Sequence, residues 1–504
     1  RILVWCDRKF TTFGIANSLQ KQYDCDLFGI FQLTDKTKDI FRKQELVKFK
    51  KTWIFNDYVS KENKTYDLKY LKSFEEKYKI NLWKIPYTDA FLGSNPYHKF
   101  TSDEVLSLFT QECKFFEQIL DEVRPDFLII RSYDNQDTRI LYELCKSRGI
   151  KILMLVVTRF DLRYKIADEE DYIDDYTKDT SISGDSSNEL ENNLKILSAS
   201  SSKRYNKLVK FRKDTAWKFL KNAVSSLLFA NNDKYLFLNH GKTIPKVFFH
   251  FFSTKLKKKY RSSFIDKNCS SQILDDEKFV YFPLHYEPER LLFVQAPLYT
   301  NQLEVITNIA KSLPIDYKLY VKEHPAMSVK NWRPTSYYKQ ILDLPNVRLV
   351  HTSANYKEII DKCSLVVTIA GSSGLEAVFH NKPTIVFADV SYSSLPSVHR
   401  LKNYEELPQA IIESLAKKVD PTELNKFINY TFKNSFEYDY LNPFLEVDEF
   451  YDKGFFSNKA LSIRNIEDCL EKNKQVFDSL GLEHVKKINE LKEKVLILPF
   501  KKDL

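Results

Sequence analysis

Two short polar runs in the second half of the chain carry the residue types that bind phosphate: Lys322-Glu323-His324-Pro325 and Gly371-Ser372-Ser373-Gly374-Leu375-Glu376. Each ends an apolar run, Tyr317 to Val321 and Leu365 to Ala370, of the kind required by a parallel strand covered on both faces. Where a strand passes through a Gly/Ser turn into a helix, the first helical N–H groups and the dipole point at the turn, and an anion is stabilised there. Gly371 and Gly374 are expected to let the backbone approach a ligand, while Ser372 and Ser373 supply hydroxyls to phosphate oxygens. Glu376 is placed to accept from ribose hydroxyls, or is an ordinary first-turn carboxylate favoured by the dipole. His351-Thr352-Ser353 ends a further strand and could flank a base. Two loops leaving one sheet edge predict a nucleotide diphosphate between them.

If a group is transferred from such a nucleotide, the step needs cations and hydrogen-bond donors at the leaving phosphate, and a base at the acceptor hydroxyl. For the base, two loops that follow strand-like runs in the first half qualify: Cys6 to Gly14, with Asp7, and Arg131 to Asp137, with Asp134 and Asp137. Asp134 is the first choice, Asp137 the second and Asp7 the third. Each could instead cap the helix after its loop, and Asp137 before Thr138 looks especially like a cap. Asp24-Cys25-Asp26 borders a strand in the wrong place for a metal-binding carboxylate pair, so the expected chemistry needs no metal.

Tyr281-Phe282-Pro283-Leu284-His285-Tyr286-Glu287-Pro288-Glu289, the Lys-Glu-His-Pro segment and the Gly-Ser-Ser-Gly-Leu-Glu-Ala turn, in this order, resemble the nucleotide-binding half of GT-B glycosyltransferases. The resemblance is to the capsule polysaccharide biosynthesis family, which includes transferases using CMP-activated Kdo and related sugars. It implies two doubly wound Rossmann-like domains facing a cleft. It also implies a histidine-proline contact to the donor through His324, with Lys322 beside it, a Ser372/Ser373 phosphate turn, and a first-domain carboxylate as base. His285, Glu287 and Glu289 would then lie in a loop facing the cleft, although family members often carry glutamine where His285 stands. Three other activities are compatible with these marks: a teichoic-acid-type transferase using CDP-polyols, a nucleotide-sugar 2-epimerase, and a catalytically silent scaffold.

The 504 residues exceed one ordinary core, and the 43% hydrophobic and 14% aromatic content can fill two or three. A net charge of +9 spread over this length does not argue for nucleic acid, and no nucleic-acid-binding signature accompanies it. An anionic donor or anionic lipid accounts for it as well. The 7 cysteines include no C-x-x-C pair and read as reduced buried thiols of a cytosolic protein. No apolar run is long enough to span a bilayer and no signal peptide is visible. Arg1 opens directly on a strand-like segment, so residues are expected to be missing upstream.

These motifs need elements to hold them. Ile2 to Trp5, Cys25 to Phe31 and Phe127 to Ile130 read as strands, with helices over Gly14 to Gln22 and Phe109 to Val123; this alternation predicts an acceptor-side α/β domain over residues 1–163. A second, donor-binding domain over 278–416 has strand candidates at Phe279 to Phe282, Tyr317 to Val321, Val347 to Val350, Leu365 to Ile369 and Thr384 to Phe387. Charged helices over 417–504, among them Val485 to Val495, are expected from the resemblance to cross back onto the first domain. Between the domains, 164–277 reads as an insertion. Its acidic run, Asp168 to Asp175, is more readily a solvated loop than a cation site, and a Ser/Asn-rich stretch follows from Thr180 to Asn193. Ile244, Val247, Phe248, Phe251, Phe252 and Leu256 then form a helical stripe ending in Lys255, Lys257, Lys258, Lys259 and Arg261. The stripe fits an anionic membrane surface, or else a helix packed on a neighbouring domain.

Overall fold

In a computed structural model, residues 1–6, 10–33, 35–60, 63–89, 95, 97–160, 162–169, 175–178, 244–287, 290–330, 332–439 and 462–497 are described. Asp7, Glu289, the centre of the acidic run and the Ser/Asn-rich stretch fall outside them.

The strands divide between two sheets. The first holds β1 (Ile2–Cys6), β2 (Leu27–Phe31), β3 (Lys51–Ile54), β4 (Phe127–Ile130), β5 (Lys151–Val157) and β6 (Arg163–Ala167). The second holds β7 (Lys278–Pro283), β8 (Tyr317–Lys322), β9 (Val347–Val350), β10 (Leu365–Thr368), β11 (Thr384–Val386) and β12 (Val398–Arg400), after which β13 (Phe436–Glu437) returns to the first. The spatial orders are β13-β6-β5-β4-β1-β2-β3 and β12-β11-β10-β7-β8-β9. Apolar strands such as β1 and β10 are buried along their whole length, as strands covered by helices on both faces must be. Among the second-sheet strands every pairing is parallel, and counted from β7 the order is that of a doubly wound dinucleotide-binding sheet. The first sheet repeats the parallel arrangement through β5, then adds β6 and β13 antiparallel. Strand order reverses between β1 and β4 in one sheet and between β7 and β10 in the other, and crevices at the carboxyl ends of strands open there.

The first sheet thus extends to Ala167, beyond the boundary expected at 163, because Arg163 to Ala167 turn back to pair with β5. The short strands β3 and β12 and the longer β5 were not foreseen. The C-terminal helix is longer than Val485 to Val495; it runs over Lys474–Ile497 and lies along helix Thr11–Gln22. The two helices approach closely at glycines. A Cβ at Gly14 would stand 2.3 Å from the Phe477 ring and one at Gly481 2.4 Å from Ser18 Oγ. Ser18 Oγ also donates to Asp478 Oδ1 at 3.1 Å. All seven cysteines are free, and Cys25 and Cys269 are only half-buried. No helix among the described residues is long and apolar enough to cross a membrane.

Candidate functional site

The second sheet gathers its polar loops at the carboxyl edge. His285, two residues past β7, reaches across the point where strand order reverses. Its Nε2 lies 3.3 Å from Thr368 Oγ1 at the end of β10 and 3.4 Å from the Ala370 amide. Gly371 is required there: a Cβ would meet Thr368 Oγ1 at 2.7 Å and His285 Cε1 at 3.3 Å. Helix Ser372–Phe379 starts at this turn with Gly371 as its N-cap and no side-chain cap, so its first N–H groups face the crevice. Ser372 Oγ donates to Glu376 Oε1 at 3.2 Å and Ser373 Oγ to Thr368 Oγ1 at 3.4 Å, and both hydroxyls stay within the mouth of the turn.

The Cα of Gly374 turns its side-chain position inward. It is buried, and a Cβ there would meet Tyr392 Oη at 2.5 Å and Thr384 Cγ2 at 2.9 Å, so its small size lets the helix lie close on β11. Tyr392 Oη in turn donates to the Gly371 carbonyl and fixes the turn from below.

After β8 the residues divide by role. His324 is half-exposed, and its Nδ1 accepts from the Ala326 amide at 3.1 Å, which puts the neutral ring's proton on Nε2 as a donor. Its ring meets that of Tyr286 edge-on at 5.9 Å. Glu323 points the other way, into a buried network. It accepts from Arg333 Nε at 2.8 Å, from Tyr338 Oη at 2.7 Å and from the His324 amide at 2.8 Å. Arg333 also pairs with Glu287 at 2.6 Å and donates to the His285 carbonyl. Gln302 closes the network on Glu287 and on both backbone groups of His285. Glu287, expected on the donor, is thus taken up in holding the β7 and β8 loops to each other.

Lys322 is buried. Its Nζ donates to the Ala354 carbonyl at 2.8 Å, no carboxylate among the described residues pairs with it, and burial draws its pKa down to about 8. Ser353 lies at the far edge beyond β9, where His351 Nδ1 stands 2.6 Å from its Oγ and His351 Nε2 reaches Asp266 at 3.1 Å. Two strands, β7 and β8, lie between β9 and β10 in the sheet.

On the first sheet, Asp134 and Asp137 follow β4 at the matching crevice. Asn135, not Asp137, is the N-cap of helix Gln136–Ser147. Asp137 is buried in the first turn, accepting from the Thr138 amide at 2.6 Å and from Gln32 Nε2 at 2.5 Å. Burial pushes its pKa up to about 7, helped by the charges of Asp89 and Asp134 and opposed by those two hydrogen bonds. Gln136 draws two more carboxylates close, through its amide to Asp89 and its side chain to Glu112 at 2.8 Å; burial, then the neighbouring Asp137, raises Glu112 well above the usual range. A chain of contacts links the two halves of the site. The helix after the His285 loop, Arg290–Gln295, sets Val294 into the first domain's core and packs on helix Lys84–Thr88, which leads directly into Asp89.

Residues 198–398 match the family model described as Capsule polysaccharide biosynthesis protein. No curated protein matches. Among solved structures, a Thermosulfurimonas dismutans KpsC, beta Kdo 2,7 transferase, is 13% identical, with 72% of this chain and 92% of that one covered at a TM-score of 0.33. The S. aureus MnaA-UDP co-structure is 12% identical, covering 92% and 98% at 0.25. The Methanocaldococcus jannaschii UDP-GlcNAc 2-epimerase in complex with UDP-GlcNAc and UDP is 14% identical, covering 85% and 97% at 0.26. At such low scores the fold rests on the strand orders above. Two doubly wound sheets, with the 198–398 match spanning most of the second, make this a GT-B-type chain resembling the capsule polysaccharide biosynthesis family.

Proposed function

We propose that the chain is a glycosyltransferase of capsule polysaccharide biosynthesis. It moves a sugar from a nucleotide-activated donor, with a CMP-linked acidic sugar the candidate, to a glycan or glycolipid acceptor at the inner face of the membrane. The observation that supports this reading is that three groups suited to phosphate end or follow strands β10 and β8, which flank β7 at the carboxyl edge of the second sheet: the open helix N-terminus with Ser372 and Ser373, the His324 Nε2 donor, and the buried Lys322 cation. Together they meet the charge that grows on a leaving phosphate as a glycosidic bond breaks, without calling on a metal. Glu376, one turn further along the same helix and hydrogen-bonded to Ser372, supports the ribose. Asp134 serves as base for the acceptor hydroxyl. Asp137, titrating near neutrality beside it, is the alternative.

Incubation with CMP- and UDP-linked sugars, with and without a glycan acceptor, tests the reading. Free nucleotide appearing only with acceptor supports transfer, whereas an isomerised donor or binding without turnover overturns it. His324→Ala should lower turnover by about a hundredfold with melting temperature unchanged. The Ser372→Ala/Ser373→Ala variant should lose about tenfold in nucleotide affinity by calorimetry. Folded variants that match the wild type would remove these residues from the donor site.

A further inference from the structure

Helix Ile244–Asn268 lies across both domains on one side and exposes an apolar stripe on the other. The packed side is fixed at each end. His250 meets the Tyr97 ring at 5.2 Å and Lys246 Nζ donates to the Tyr97 carbonyl, both on the first domain. Arg261 Nη1 donates to the Trp332 carbonyl at 2.6 Å, Ile265 is buried in the second core, and Asp266 meets His351. The other side carries Phe249, Phe252, Leu256 and Tyr260, which are 77%, 55%, 73% and 65% exposed.

This is not the stripe that hydrophobic spacing alone picks out. Phe251 is half-buried, and the side chains of Ile244, Val247 and Phe248 fall outside the described residues. At about 100° per residue the exposed four form a single narrow line along the helix. Lys255 and Lys259 fall on one flank of that line and Lys257 on the other, next to Lys246 with its ammonium on the Tyr97 carbonyl, while Lys258 is half-buried on the packed side. An apolar ridge flanked by lysines complements one kind of surface: apolar rings enter the acyl boundary while ammonium groups stay at a layer of anionic headgroups. A water-facing helix gains nothing from four large apolar side chains in line.

We infer that this face docks the protein on an anionic lipid bilayer, with the helix lying in the interface. The bilayer would then lie along the face where the helix spans from Tyr97 to Trp332, close to the loop that carries His324. This deepens the proposed function by naming the acceptor as lipid-borne, but lipid binding is measured apart from any turnover.

The test is co-sedimentation of the full chain with vesicles of phosphatidylglycerol and phosphatidylcholine in equal parts, against phosphatidylcholine alone. The expected result is binding to the anionic vesicles that falls as salt is raised. Lys255→Glu/Lys257→Glu/Lys259→Glu should weaken it by about a hundredfold. Phe252→Ser/Leu256→Ser should weaken it by about tenfold without altering the charge. Both variants alter exposed positions, so melting temperature and nucleotide affinity should match the wild type. Wild-type protein left in the supernatant at low salt overturns the inference. So does a stripe that proves to join two copies, seen as a dimer in light scattering that the Phe252→Ser/Leu256→Ser variant converts to monomer with vesicle binding unchanged. If vesicles bind but no sugar is transferred, the docking face stands and the transferase reading falls.

Discussion

Lys322 is a cation held where water is scarce, and that has a measurable cost. Its pKa of about 8 lies below the usual lysine value of 10.5, so between those two values the unfolded chain binds more protons than the folded one. Stability from this group therefore rises with pH across that window, and at neutral pH the buried charge costs up to about 3 kcal/mol. An anionic donor beside it would offset that cost and restore the proton. Nucleotide affinity should accordingly fall from about pH 7 to about pH 9, approaching tenfold per unit above the pKa. Lys322→Met should raise the melting temperature of the free protein, weaken nucleotide binding and flatten its pH dependence in calorimetry. A Met variant that retains both affinity and slope would show that the ammonium does not face the donor. The neighbouring Glu323 teaches a different lesson. Within Lys-Glu-His-Pro the sequence offers no way to tell which side chain turns inward, because the partner that decides it, Arg333, lies on a later loop and follows no periodic pattern.

Among the elements, helix Lys474–Ile497 owes its seat to close contact rather than to apolar area alone, with Gly14 and Gly481 admitting Phe477 and Ser18. It also carries a fully buried histidine. His484 donates from Nδ1 to the Leu480 carbonyl at 2.7 Å, its Nε2 finds no partner among the described residues, and burial lowers its pKa to about 4. Below pH 6.5 the unfolded chain takes up a proton that the folded one refuses. The stability tied to His484 is therefore complete above that value and drains away as pH falls toward 4. Exchange of the helix's amides should accelerate on acidification between those limits, and His484→Leu should suppress that acceleration; an unchanged profile would exclude the histidine as its cause. The strands were legible where a buried parallel strand forces a continuous apolar run, as at Phe127 to Ile130 and Leu365 to Thr368. They were not legible at β12 or β13, three and two residues long, whose pairing comes from distant neighbours. The packing role of Gly374 was not legible for a related reason. A glycine beside a ligand and a glycine beside a tyrosine look identical until Tyr392 is in place.

At the scale of the whole molecule the two sheets are stitched together. The turn between β5 and β6 places Phe160 in the second core, where its ring centroid lies 6.0 Å from that of Phe379 and 5.5 Å from that of Phe432. Next to it, Arg163 donates to the carbonyls of Phe432 and Ser435 and to Ser435 Oγ, which holds β13 against β6. Phe160→Ala should cost about 3 to 5 kcal/mol and turn a single calorimetric transition into two. One sharp transition in the variant would mean that the coupling runs elsewhere. The seating of helix Lys474–Ile497 on Thr11–Gln22 also bears on the protein's birth. The partner that covers helix Thr11–Gln22 is synthesised more than 450 residues after it. At about 5 to 20 residues per second, the face of that helix bearing Gly14 and Ser18 waits roughly 25 to 90 seconds for cover. Over that interval the nascent first domain lacks one of the layers that close its core, so a chaperone that shields hydrophobic segments during translation should set the yield of folded protein.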